Sequence, residues 1–187
     1  MRRAAFLDRD GVFNVRPRPH EYVRSLGDFS WIDGAAEGAA RLAHGGFMLA
    51  VVSNQRGVAR GLVDPAVLVE IEEEIQSALR PLRAEIGAFR YCPHALEAGC
   101  ECRKPQPGML LSLARERGID LSRSWMIGDS ASDVIAGQRA GCATALIGDS
   151  IDAAALEAPP DLVARSLLAA SESILSLDRV QPRPVPR

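Results

Sequence analysis

The chain has 187 residues, of which 22 are basic and 24 acidic, giving a formal net charge of −2, with 47% hydrophobic and 25% charged residues. These figures suit one globular domain with a real core and offer no electrostatic basis for nucleic acid or an anionic membrane as the main partner. After Arg2 and Arg3 only Ala4-Ala5-Phe6-Leu7 is apolar, too short for a secretory leader, and no apolar run approaches the roughly 20 residues of a membrane span. A cytoplasmic protein is therefore expected.

Residues 3–8 predict a short buried strand ending in an acid, followed by an irregular stretch over 11–33. Asp33 is placed to cap a helix over about 34–45, closed by Gly45-Gly46. The continuous apolar run Phe47 to Val52 predicts a strand buried on both faces. Asp64-Pro65 opens a helix expected to reach about Arg83, with Pro81 disturbing its last turn. A third strand is expected over Ala88–Tyr91, a helix over Pro107–Arg117 and a fourth strand over Ser124–Ile127. A helix over 131–140, a strand over Ala143–Ile147, a strand near Leu162–Ala164 and a helix over 168–177 follow. The expected domain is 1–178, and the Pro-rich remainder, 179–187, is expected to be disordered. Strands alternating with helices predict an α/β, Rossmann-like three-layer sandwich around a mostly parallel sheet, with ligands beyond the carboxyl ends of the strands.

Four polar motifs fall at those ends. Asp8-Arg9-Asp10-Gly11 offers one carboxylate to attack phosphorus and a second to protonate the leaving oxygen and later activate water. Paired carboxylates also attract a hard cation such as magnesium, and Asp129, in Gly128-Asp129-Ser130-Ala131-Ser132-Asp133, completes such a site. Ser53-Asn54-Gln55 supplies a hydroxyl and backbone donors for phosphate oxygens. Lys104 is the only lysine in the chain, a compact charge suited to a phosphoryl group. Asparagine occurs only at Asn14 and Asn54, and residues that persist against a compositional bias are candidates for special duty. Asp133 is expected either to orient Lys104 or a metal-bound water, or to favour its helix N-terminus. Cys92-Pro93-His94 and Cys100-Glu101-Cys102 form a Cys3His set, read as a closed, structural zinc site within a loop over 92–102 that leads directly into Arg103-Lys104. Cys142 is expected in the core.

In this order the four motifs resemble the haloacid dehalogenase superfamily of phosphatases over roughly residues 3–148. The resemblance implies Asp8 as nucleophile, Asp10 as general acid/base, Ser53 and Lys104 as phosphate ligands, and magnesium held by Asp8, Asp129 and the backbone carbonyl of Asp10. Asp10, where threonine is the other option, is similar to the phosphatase branch. The expected substrate-binding set is Asp8, Asp10, Gly11, Ser53, Asn54, Gln55, Arg56, Arg103 and Lys104. The metal loop, Asn54-Gln55-Arg56-Gly57-Val58-Ala59-Arg60-Gly61 and Cys102-Arg103-Lys104-Pro105-Gln106-Pro107-Gly108-Met109 resemble the subgroup of heptose 1,7-bisphosphate and histidinol-phosphate phosphatases. A lysine often follows Gly-Asp in the heptose enzymes, where this chain has Ser130.

Only 42 residues separate Asp10 from Ser53 and 50 separate Ser53 from Lys104, so no large cap domain is expected. Arg16, Arg18, His20, Arg56, Arg60 and Arg103 are candidate grips for a second phosphate, with Arg103 the best placed. The expected activity is removal of the C7 phosphate from a heptose bisphosphate in nucleotide-heptose synthesis, toward lipopolysaccharide precursors, by a monomer. Histidinol phosphate is the alternative substrate. A non-catalytic zinc-bearing interaction module is the alternative of another class.

Overall fold

The computed structural model describes residues 1–148, 156 and 158–180. The expectation of a disordered segment over 181–187 lies outside them. Six strands form one sheet: β1 (Ala4–Leu7), β2 (Met48–Asn54), β3 (Ile86–Cys92), β4 (Trp125–Gly128), β5 (Ala143–Ile147) and β6 (Leu162–Ala164). Their spatial order is β3-β2-β1-β4-β5-β6 and every pairing is parallel. The sheet is thus wholly parallel where the sequence predicted mostly parallel.

Alternation along β1 explains the two cores. Ala5 and Leu7 belong to one apolar cluster and Ala4 and Phe6 to the other, because successive side chains point to opposite faces. Helices α1 (Ala35–His44), α2 (Pro65–Leu79) and α5 (Leu167–Val180) cover the first face through residues such as Leu42, Ile71, Ile75 and Ile174. Helices α3 (Gly108–Arg117) and α4 (Ala131–Ala140) cover the second, with Met109, Leu110, Leu113 and Ala140. A strand buried on both sides must be apolar throughout, as β1 is. Burying Phe6 or Leu7 contributes about 1.5–3 kcal/mol each.

Several boundaries differ from the sequence reading. Gly34, not Asp33, occupies the cap of α1, in a left-handed conformation with Leu168 of α5 packed against it. Helix α2 stops at Leu79 and tightens into a 3-10 turn over Arg80–Leu82, because Pro81 has no N–H to continue the ladder. Strand β2 extends to Asn54, so Ser53 and Asn54 end the strand rather than follow it. Strand β3 spans Ile86–Cys92, its first residue bonded through both Ile86 N–H and C=O to the Gln76 side chain of α2. Helix α5 runs to Val180, past the expected limit at 178. Between Asp10 and β2 lie only a 3-10 turn at Leu26–Asp28 and α1, so among the described residues no cap domain is inserted there. Among the described residues no helix is long and apolar enough to cross a membrane.

Candidate active site

The central strands β2, β1 and β4 are neighbours, so their carboxyl ends deliver Ser53, Asp8 and Asp129 to one place. The Asp8 N–H donates to the Ile127 carbonyl at 2.9 Å, continuing the β1–β4 ladder one residue into the site. Lys104 arrives on the loop after β3. Asn54 fastens that loop, its Nδ2 donating to the Lys104 carbonyl at 3.0 Å while its Oδ1 accepts the Lys104 N–H at 3.1 Å.

Lys104 is the hub of the floor. Its Nζ donates to the Val52 carbonyl at 2.8 Å and lies 2.6 Å from Asp133 Oδ1 and 3.1 Å from Asp8 Oδ1. Its side chain is 1% exposed, so these three acceptors replace all of its water. Burial works against the ammonium, yet the Asp133 and Asp8 carboxylates hold its pKa above the ordinary lysine value. Burial pushes the Asp8 carboxyl up, against the pull of Lys104. Asp129 is pushed up to about 7 by burial, partly offset by Arg16, whose Nη2 lies 2.7 Å from Asp129 Oδ1.

Both readings of Asp133 meet in one side chain. It faces Lys104, and it also closes a capping box on α4, accepting the Ser130 N–H at 3.1 Å and the Ser130 hydroxyl proton. Ser130 is thereby spent on the helix cap. Gly11 sits at φ 85, and a Cβ there would fall 1.8 Å from Asp129 Oδ2. Only glycine lets the Asp8–Gly11 loop pass this close to Asp129.

The Asp10 carboxylate is held separately. Arg9 forks onto it, Nε to Oδ1 at 3.1 Å and Nη2 to Oδ1 and Oδ2 at 2.9 and 3.1 Å. Asn14 Nδ2 donates to Oδ1 at 2.9 Å, and Gln55 Nε2 donates to Oδ2 and to Ser53 Oγ, each at 3.1 Å. Arg9 and Asn14 are fully buried. The sequence reading missed both in these roles. The scarcity of asparagine was a usable signal for Asn14; Arg9, inside an arginine-rich chain, gave none.

The floor opens into a cavity of about 340 Å³. Asp8, Asp10, Ser53 and Lys104 line its depth, and Arg16, Tyr22, Arg56 and Arg103 its outer wall. Of the six candidate grips, Arg16, Arg56 and Arg103 reach the cavity. Arg18, His20 and Arg60 do not line it; Arg18 and His20 are exposed on the loop, and Arg60 is turned onto Tyr22. A larger cavity of about 950 Å³ lies at the opposite edge, where β2 and β3 begin, and carries none of the chemistry-bearing set.

Two donor sets fit metal ions. Carboxylate oxygens of Asp8, Asp129 and Asp133 lie within 4.8 Å of one another, hard donors suited to a small divalent cation. Asp133 is already engaged by Lys104 and Ser130, which leaves Asp8 and Asp129 as the freer pair. Ligand atoms of Cys92, His94, Cys100 and Cys102 likewise lie within 4.8 Å. The Cys92 sulfur is 3.6 Å from Cys100 Sγ, 3.3 Å from Cys102 Sγ and 3.6 Å from His94 Nδ1. A tetrahedral zinc with Zn–S bonds of about 2.3 Å holds its sulfurs about 3.8 Å apart, so this set needs only slight expansion. Cys142 is buried in the second core cluster.

A carboxylate against a buried lysine, with a second acid two residues on and a third at the neighbouring strand end, suits phosphoryl transfer on a parallel α/β sheet. The HAD-hydrolase-like family model matches residues 101–170. The D-glycero-beta-D-manno-heptose-1,7-bisphosphate 7-phosphatase of Pseudomonas aeruginosa is 39% identical over 141 residues, 75% of this chain and 78% of that protein. The Photorhabdus laumondii enzyme of the same name is 41% identical over 138 residues, 70% of this chain and 72% of its own. The crystal structure of D,D-heptose 1,7-bisphosphate phosphatase from B. bronchiseptica, complexed with magnesium and phosphate, is 34% identical and superposes with a TM-score of 0.84 over 93% of this chain and 98% of that one. The chain belongs to the haloacid dehalogenase-like hydrolases, in the family of the heptose-1,7-bisphosphate phosphatases, and is a phosphoric monoester hydrolase.

Proposed function

We propose that this chain removes the C7 phosphate of D-glycero-D-manno-heptose 1,7-bisphosphate through an aspartyl-phosphate at Asp8. The observation that carries the reading is the cavity itself. Its floor pairs the Asp8 carboxylate with the Lys104 ammonium at 3.1 Å, and its wall presents three arginines to a second anionic group. The names of the relatives point the same way.

Asp8 attacks the phosphorus while Lys104 offsets the repulsion between two anions. Asp10 gives a proton to the departing sugar oxygen, then takes one from the water that cleaves the acyl phosphate. The forks of Arg9, Asn14 and Gln55 keep Asp10 aimed through both steps. Ser53, with Asn54 and Gln55 beside it, receives phosphoryl oxygens, as does the backbone at Asp10-Gly11. Asp8, Asp129 and the Asp10 carbonyl would hold magnesium, which supplies charge neutralisation for the phosphoryl group. Cys92, His94, Cys100 and Cys102 would hold a structural zinc that pins the loop leading into Arg103-Lys104. The enzyme is proposed to work as a cytoplasmic monomer on this small metabolite.

The test compares kcat/KM on the heptose bisphosphate and on histidinol phosphate, with Asp8→Asn as control. A several-hundred-fold or greater loss of kcat is expected for Asp8→Asn with the fold retained, together with a preference for the sugar bisphosphate. Faster turnover of histidinol phosphate would reject the substrate assignment. Turnover surviving in Asp8→Asn would reject the covalent route, and a wild-type chain that turns over neither compound would reopen a non-catalytic role for the fold.

A further inference from the structure

We propose that Tyr22 is a positioning residue for substrate selection: it holds Arg56 ready for the phosphate remote from Asp8. The inference rests on the bisphosphate reading above. Tyr22 lies on the irregular stretch before α1, distant in sequence from every motif, and no feature of the sequence marked it.

The Tyr22 hydroxyl oxygen accepts from Arg56 Nε at 3.2 Å and from Arg60 Nη1 at 3.1 Å. Two charged donors on one phenol oxygen fill both of its acceptor positions. Although burial opposes the shift, these guanidiniums draw the phenol below the ordinary tyrosine value. The Arg60 guanidinium also lies over the ring, 5.9 Å from its centroid. Arg60 therefore braces Tyr22, and Tyr22 braces Arg56.

The loop backbone is held from the other side. A Cβ on Gly57 would lie 2.8 Å from Tyr22 Cδ1 and 2.5 Å from Val63 Cγ2. The absence of a side chain at Gly57 is what lets the ring seat against the turn that carries Arg56. The Leu62 and Val63 N–H groups both donate to the Gly57 carbonyl, at 2.9 and 3.2 Å, closing that turn.

Arg56 is thus restrained at its backbone and at Nε. Neither of its Nη groups has a hydrogen bond among the described residues, and Arg56 lines the cavity that Asp8 and Lys104 floor. Arg16 differs: its Nη2 is already committed to Asp129. A guanidinium ordered in advance loses less rotamer entropy when an anion arrives, and two free Nη donors suit a phosphate. Glu21 is the one carboxylate on this wall, so the wall favours an anion.

The experiment uses Tyr22→Phe, which keeps the ring against Gly57 and removes only the acceptor. Steady-state kinetics are measured on the heptose bisphosphate and on p-nitrophenyl phosphate, which has no second phosphate. The expected result is a rise of about five- to tenfold in KM for the bisphosphate, kcat within about twofold, and unchanged kinetics on the monophosphate. Arg56→Ala is expected to raise the same KM at least as far, and the double variant to add nothing to Arg56→Ala. Equal losses on both substrates, an unchanged bisphosphate KM, or additive losses in the double variant would overturn the role of Tyr22. A wild-type enzyme with no preference for the bisphosphate over the monophosphate would instead sink the substrate reading, and this inference with it.

Discussion

The floor and the wall of the cavity are built on opposite principles. On the floor, the Lys104 side chain is 1% exposed and meets three oxygen partners, from Asp8 just after β1, from β2 and from α4. On the wall, the Arg16 side chain is 51% exposed, and Arg16, Tyr22 and Arg56 all sit on connecting segments. Strand ends fix the floor to the rigid core, whereas the wall is set by contacts between loops. On the proposed reading, chemistry common to every phosphate ester is thereby separated from recognition of one particular ester.

The largest test of that division removes the hub of the floor. Lys104→Met keeps much of the volume but leaves Asp8 and Asp133 without their shared cation. Loss of one partner from a buried ion pair costs about 3–5 kcal/mol, so denaturant unfolding should show destabilisation of that order. In the same variant kcat should fall by about a thousandfold or more, since floor electrostatics act on the transition state. A variant with near-normal stability would break the picture of an over-determined floor.

An intermediate effect is expected where the floor depends on a loop. The Cys92, His94, Cys100 and Cys102 cluster lies just ahead of Arg103-Lys104, and the Gly108 N–H donates to the Glu101 carbonyl at 3.1 Å across the same stretch. Exhaustive treatment with a zinc chelator, followed by readdition of magnesium, should lower the melting temperature by several degrees and kcat/KM by about tenfold. Elemental analysis should find about one zinc per chain beforehand. Full activity in zinc-free protein would detach the loop from the floor.

The smallest effect is spectroscopic and sharpens the contrast within one residue type. The chain has only two tyrosines, Tyr22 and Tyr91. Burial works to raise the Tyr22 phenol on the wall, but Arg60 and Arg56 outweigh it and lower it, while Tyr91 in β3 is raised chiefly by burial, with the Glu72 carboxylate adding to it. An alkaline titration at 295 nm should show one phenol ionising below the ordinary value of 10 and the other resisting until the protein unfolds. The signs of the linked stability follow: Tyr22 contributes above the ordinary value and loses that contribution as pH falls through its own lowered pKa. Tyr91 contributes below the ordinary value and loses it as pH rises toward its own raised pKa. Tyr22→Phe should abolish the early step alone.

Asp8, Ser53 and Asp129 were legible because each stands at the end of an apolar strand, and a parallel sheet aligns strand ends. Lys104, on the loop after β3, was marked by being the chain's only lysine, and the paired Cys-x-His and Cys-x-Cys spacing marked the metal loop. None of these signals reached Arg9, whose guanidinium is buried beneath Asp10, or Tyr22, whose partners lie 34 and 38 positions away. Contacts of that range leave no periodicity in the chain. Asp33 was mistaken for a cap because local propensity weighs a side chain's hydrogen bond, whereas packing of α5 against Gly34 decided the turn. Among the five candidate arginines and one histidine, sequence had no means of telling which would face inward.

The contact between Arg16 and Asp129 completes an uneven tally around the nucleophile. Asp8, Asp129 and Asp133 bring three carboxyl groups against the two cations of Lys104 and Arg16; burial raises the Asp8 carboxyl and pushes Asp129 up to about 7, so loss of their protons deepens the negative excess. With all three ionised, a doubly charged ester would be repelled by that excess, and a divalent cation held by Asp8 and Asp129 would reverse its sign. On the proposed reading the cation would therefore arrive ahead of the ester or together with it, because so few lysines and arginines reach the bottom of the cleft.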